Sequence, residues 1–260
     1  MSPVYPWIDK PIEARFIERV NRFACLVDHA GKPTKVYLPN SGRLEELLHP
    51  GATVLLEKRR TVGKTYHDLL LVQSSRYPDG APLWVGIDSR LPSKLLRWAV
   101  ETGMLQDFRK PSRIRNEPQV GDGRLDLMIE CDDSIHFIET KSVNLLDTDG
   151  TARFPDAPTI RGKKHIENLM SLTSEDFVPW LIFIVMREDA LAFSPFAERD
   201  PEFTDTLHLA MEAGVKIVAM KYAAGANFRF IDTVKVLLPS VPFPGFWPLD
   251  HSADVGVYGP

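Results

Sequence analysis

"RLDLMIECDDSIHFIETKSV", residues 124–143, decides how this chain folds. Two β-forming runs flank Cys131–Ser134, so the stretch reads as an antiparallel hairpin. That connection sets Glu130 opposite Ile135, and the same register sets Asp126 opposite Glu139 and Arg124 opposite Lys141. Directly opposed residues share a face with Cβ atoms about 4.5–5.5 Å apart. Glu139 and Lys141, two apart on one strand, share that face too. One register therefore gathers Asp126, Glu139 and Lys141. Leu125, Leu127, Ile129 and Ile138 are expected on the other side, against a core.

Opposed carboxylates repel, and more strongly when desolvated, so a fold that keeps both needs a cation. Lys141 is one candidate and a divalent metal is another. Oxygen ligands of this kind suit Mg²⁺ or Mn²⁺, held by Asp126, Glu139, a backbone carbonyl such as that of Thr140, and retained waters. Such an ion polarises a phosphoryl oxygen and makes bound water more acidic. Lys141 would then orient the attacking water and offset charge growing on the phosphate. The plainer alternative is structural: an Asp126–Lys141 ion pair with Glu139 solvated.

Working outward, "PSKLLRWAVETG" (92–103) has a proline near the first helical position and Gly103 at the stop, with Leu95, Leu96, Ala99 and Val100 on one side. "RIRNEPQV" (113–120) reads as a strand before the hairpin. After it, Pro158 opens a helix with Ile166, Leu169, Met170 and Thr173 along one side. Arg161, His165 and Asn168 recur on its other side, with Lys164 among them, as a second hand on a phosphate or simply as a solvated face. "WLIFIVM" (180–186), a helix around 202–213 ended by Gly214, and "VKIVAMKY" complete the order. This is α/β, with a mixed sheet whose third and fourth strands are joined by a helical crossover and so run parallel.

The front of the chain has a different texture. "ARFIERV", "RFACLVD", "TKVYLP", "ATVLLEKRR", "HDLLLVQS" and "PLWVGID" are short strands separated by turns such as "HAGKP" (29–33) and "YPDGAP" (77–82). So many strands in ninety residues imply a small closed or partly closed β-barrel. Its most basic loop, "EKRRTVGKTYH" (57–67), carries Lys58, Arg59, Arg60 and Lys64, which suit a nucleic-acid contact or a solvated hairpin tip. Domains are expected at 1–90 and 91–240, with an extended Pro- and aromatic-rich tail at 241–260.

Net charge is −4, which argues against a general polyanion binder. The first 100 residues carry 15 Lys+Arg against 10 Asp+Glu, and the remainder 16 against 25. A basic front and an acidic back suit nucleic acid at one end and cations at the other, or merely scatter. No apolar run approaches the ~18–20 residues of a membrane span. "MSPVYPWIDK" lacks the basic and apolar regions of a secretory signal, and Cys25 and Cys131 lie far apart, so reduced thiols in the cytoplasm are expected. A phosphate-cradling glycine loop and a nucleophile elbow are both missing, which disfavours a sugar-metabolising enzyme.

Asp126 followed by Glu139-x-Lys141, after this element order, resembles the PD-(D/E)XK nuclease superfamily. Together with "YLPNSGRL", "PGATV", "NEPQVGDGRLDLMIE", "FIETKSVNL", "FPDAPTIRGKKHIENLM" and "FSP", it is more closely similar to the sugar fermentation stimulation protein family. The resemblance implies an N-terminal OB-like barrel that binds DNA, with RNA as an alternative partner, and a nuclease-like C-terminal domain. By position, Asp126 and Glu139 would be metal ligands, Lys141 the catalytic lysine, and Glu117 an additional acid. Arg43, in "YLPNSGRL", joins the basic residues assigned to nucleic acid. Leu125 stands where the superfamily has its proline. The reading is a metal-dependent nuclease, or alternatively a DNA-binding regulator on a nuclease-like scaffold.

Overall fold

The computed structural model describes residues 3–239 except 60–62, 64, 122, 132–133 and 175. The expected tail at 241–260 therefore lies outside the described residues. The first strand, β1 (Tyr5–Pro6), pairs with Asn227 and Phe228 near the other end of the chain. This corrects the boundary expected at residue 1, because β1 extends the second domain's sheet. The barrel begins at β2.

It is built from β2 (Ile12–Asn21), β3 (Ala24–His29), β4 (Lys32–Tyr37), β5 (Thr53–Lys58) and β6 (His67–Ser75), with β7 (Pro82–Gly86) alongside β6. Each strand meets its neighbour antiparallel, and β4 closes on β6 in parallel at Tyr37 and Asp68. Around the ring the order is β2, β3, β4, β6, β5, the Greek-key closure of an OB barrel. Period-two burial explains the strands: on β2, Ala14 and Phe16 point inward while Glu13 and Arg15 point out. The β3–β4 turn needs two residues at positive φ, and Ala30 (53°) with Gly31 (78°) meets that need.

The second domain opens with α1 (Pro92–Glu101), followed by β8 (Arg113–Asn116), β9 (Gln119–Val120), β10 (Gly123–Arg124), β11 (Leu127–Cys131) and β12 (Ser134–Val143). Then come β13 (Leu145–Leu146), β14 (Thr151–Phe154), α2 (Ile160–Met170), β15 (Phe177–Val185) and β16 (Ala192–Pro195). The chain continues through α3 (Pro201–Glu212), β17 (Lys216–Ala223) and β18 (Asn227–Val236). The sheet runs β13, β14, β16, β18, β17, β15, β12, β11, β8, with β12 and β15 parallel as the crossover required. Among the described residues, no helix is long and apolar enough to cross a membrane.

The sheet is covered on both faces. Leu95, Leu96, Ala99 and Val100 of α1 pack with Ile138, Ile182 and Ile184 on one side. Ile166 and Leu169 of α2 and Phe203, Leu207 and Ala210 of α3 pack with Phe183 and Val185 on the other. Because β12 alternates, Phe137, Glu139, Lys141 and Val143 face α2. The α2 helix starts at Ile160 rather than at Pro158, because the Thr159 Oγ1 accepts from the Gly162 N–H at 3.0 Å and so caps it. Thr173, expected on its apolar side, lies beyond its end and is exposed.

Barrel and sheet share one core. Leu55, Leu70 and Leu71 join the α1 cluster, and the Gly86 N–H donates to the Met186 carbonyl at 2.9 Å. A Cβ at Gly86 would stand 2.7 Å from Met186 Cε and 3.0 Å from Phe228 Cζ, so a larger residue here requires these two buried side chains to move. Arg76 pairs with Glu188, and the Tyr77 N–H donates to Asp189 Oδ2 at 2.9 Å.

Candidate functional site

The β11–β12 register is the expected one: Leu127 pairs with Ile138 and Cys131 with Ser134. The ladder stops at Leu127, however, and this changes how Asp126 is placed. Its N–H donates to the Ile138 carbonyl at 3.0 Å, and its Oδ2 accepts from the Thr140 N–H (2.7 Å) and Oγ1 (2.5 Å). The direct opposition of Asp126 and Glu139 is thus replaced by a diagonal approach through Thr140. Leu125 is corrected as well: the break between β10 and β11 turns it into the α2-side core with Val120, while Leu127 and Ile129 face α1.

Glu139 is 4% exposed. Its Oε1 accepts from Lys141 Nζ at 2.7 Å and from His165 Nδ1. His165 Nε2 accepts from Arg161 Nε at 3.3 Å, so both ring nitrogens are engaged as in one neutral tautomer. The structural alternative, an Asp126–Lys141 pair beside a solvated Glu139, does not hold: Lys141 pairs with Glu139, and Glu139 is buried.

The two carboxylates are pushed apart electrostatically. Burial raises Asp126, and the neighbouring Glu139 charge raises it further, against the Thr140 hydrogen bonds and Lys141. Burial also acts to raise Glu139, but Lys141 and His165 outweigh it and hold the group below its ordinary value. Glu139 Oε2 is buried without a hydrogen-bond partner. A buried carboxylate oxygen without a partner, beside a carboxyl raised by burial and by a like charge, is a donor set that a cation would satisfy. Among the described residues no three His, Cys, Asp or Glu side chains converge as a complete metal cage. Asp126 and Glu139 therefore fit an ion that binds through one or two carboxylates and keeps its waters.

A cleft of about 290 Å³ adjoins the cluster, lined by Gly123, Arg124, Arg161, Lys164, His165 and Asn168. The helical spacing of Arg161, Lys164, His165 and Asn168 brings all four to it. Glu117 stands elsewhere. Its N–H donates to the Asp126 carbonyl, but its carboxylate, 71% exposed, pairs with Arg124 at 3.3 Å. Of the barrel candidates, Arg43 and Lys58 are exposed, Arg59 is held by Asp68 at 3.0 Å, and Arg60 and Lys64 lie outside the described residues. Sequence reasoning missed the link between the domains at this site: the Arg43 N–H donates to Asp156 Oδ2 at 2.6 Å, three residues before the α2 cap. A backbone donor leaves no signature in residue type.

The domain model "Sugar fermentation stimulation protein RE domain" matches residues 90–227, and "SfsA N-terminal OB domain" matches 17–87. The chain belongs to the sugar fermentation stimulation protein family. A homolog from Desulforamulus reducens is 39% identical over 83% of this chain and 87% of its own length. Another from Natranaerobius thermophilus is 40% identical over 82% and 88%. A solved structure, "The structure of Pyrococcus Furiosus SfsA in complex with Ca2+", matches with TM-score 0.82 and 29% identity over 91% of this chain and 99% of that one. Family membership and the OB-barrel-plus-mixed-sheet architecture expected from the sequence both stand.

Proposed function

We propose that this member of the sugar fermentation stimulation protein family is a metal-dependent nuclease, hydrolysing phosphodiester bonds in nucleic acid, with DNA the favoured substrate. The observation that carries the reading is the cluster of Asp126, Glu139, Lys141 and His165 beside a cleft lined by Arg124, Arg161 and Lys164. The Ca²⁺ of the Pyrococcus furiosus relative supports a divalent ion here. Asp126 and Glu139 would hold Mg²⁺ or Mn²⁺, which supplies Lewis acidity and an acidified water.

The remaining work belongs to the chain's own groups. Arg161 and Lys164 bind the phosphate chain in the cleft, where Arg offers a planar fork and Lys a point charge. Lys141, 11% exposed at its side chain, keeps its ammonium in a low-dielectric pocket, where it stabilises negative charge developing on the phosphate. His165 positions Glu139 through Nδ1 and is itself held by Arg161. Two cysteines so far apart in sequence as Cys25 and Cys131 suit the reducing cytoplasm in which we place this chemistry.

The test is incubation of purified protein with single- and double-stranded DNA and RNA in Mg²⁺, Mn²⁺ or EDTA. Cleavage that needs the metal and is lost in both Asp126→Ala and Lys141→Ala supports the reading. Cleavage surviving either substitution refutes it. Nucleic-acid binding without cleavage favours the non-catalytic regulator.

A further inference from the structure

The barrel carries a second feature that the metal cluster does not use. Phe23, in the β2–β3 turn, is 44% exposed and stacks on Tyr37 of β4 with ring centroids 6.4 Å apart and planes at 23°. The Arg22 guanidinium lies 5.4 Å over the Phe23 ring, and Arg59 lies 4.7 Å over Tyr37. Asp68 holds Arg59 at 3.0 Å and Arg90 at 2.8 Å, so two of the arginines near Tyr37 are fixed in place. Phe23, exposed, and Tyr37, half-buried, lie with their guanidinium neighbours outside the barrel core, which includes Val27, Val36 and Leu69.

We propose that Phe23 and Tyr37 form a stacking platform for an unpaired base of single-stranded nucleic acid. Base faces are available for stacking only where the strand is unpaired, and Arg22 can exchange its ring contact for a phosphate. The β3–β4 face and the loop joining β2 to β3 are also the surface through which OB barrels take oligonucleotides.

The platform is tied to the cleft. Arg19 donates to the carbonyls of Arg22 (2.8 Å), Gly42 (2.5 Å) and Arg43 (2.7 Å), fixing the turn that presents Phe23 to the 40–43 loop. That loop is bonded through the Arg43 N–H to Asp156, just ahead of α2 with Arg161 and Lys164. A strand seated on Phe23 can therefore continue over Arg43 toward the metal cluster. This assigns the substrate class of the nuclease reading, and rests on it.

The experiment is fluorescence polarisation with a labelled 12-nucleotide oligo-deoxythymidine and a 12-base-pair duplex, on full-length protein carrying Asp126→Ala, in EDTA. Phe23→Ala is expected to weaken single-strand binding by about 5- to 150-fold, the contribution of one stacked base, with duplex binding changed less than twofold. Phe23→Trp is expected to keep the affinity, with its added emission quenched on binding. Equal losses for both probes, no loss, or no binding of either probe overturns the platform. Because no cleavage is needed, an inactive metal site leaves this result standing, and an active site with an inert Phe23 refutes only the platform.

Discussion

Asp126→Asn should make the metal-free protein more stable. Asp126 is raised above its ordinary value by burial first and by Glu139 second, so the fold tolerates its neutral form better than its charged one. Asparagine keeps an oxygen for the Thr140 N–H and Oγ1 while removing the charge. Relief of a destabilising functional group is typically worth about 0.5–2 kcal/mol, or about 1–8 °C in melting temperature at this size. The sign with pH follows from linkage. A carboxyl whose folded value is raised contributes stability that is present below its unfolded value and is lost as pH rises through the folded one. The advantage of Asp126→Asn should therefore be small near pH 4 and widen toward pH 8. Calorimetric melting of both proteins in EDTA across that range is the assay. Adding millimolar Mn²⁺ should then raise the melting temperature of the wild type and leave Asp126→Asn unmoved, because only a state that binds the ion gains from it. A variant less stable than wild type by more than about 1 kcal/mol in EDTA, outside the expected gain, would refute the reasoning.

Three further outcomes follow. Gly86→Val should destabilise the protein by about 1–3 kcal/mol in urea unfolding, since its Cβ would meet Met186 Cε at 2.7 Å and Phe228 Cζ at 3.0 Å and force both buried side chains to repack. His136 accepts from Trp180 Nε1 at 3.0 Å, and burial, followed by Lys216, lowers its pKa. Acidification from its ordinary 6.5 down through the lowered value should therefore cost stability, and His136→Gln should flatten that part of the melting profile. Arg161→Ala should weaken DNA binding almost uniformly across sequences and reduce the slope of log affinity against log salt by about 1, measured by titration at several salt concentrations.

The hairpin register was legible because a short connection and period-two alternation leave few alternatives, and the register carried the Glu139–Lys141 face with it. The helical side bearing Arg161, Lys164 and His165 was legible for the same reason, with a different period. The break at Asp126 was not. Beside it the Glu117 N–H bonds the Asp126 carbonyl with Glu117 at φ 48°, a conformation uncommon for non-glycine residues and unmarked in the sequence. That same geometry turns the Glu117 carboxylate out to Arg124. Strands β14 and β16 were missed because each spans only four residues and they pair with each other across the intervening α2 and β15, whereas β18 pairs with its neighbour β17 as well as with the distant β1 and β16. Ten residues of "NFRFIDTVKV" bury only Phe228, so β18 lacks the alternation that marks a half-buried strand.

The most direct measurement is anomalous diffraction from a crystal soaked in Mn²⁺. The account predicts one strong peak within coordination distance of both Asp126 and Glu139, lost in Asp126→Ala. A peak at neither carboxylate, at a concentration of Mn²⁺ that supports cleavage in solution, would contradict it.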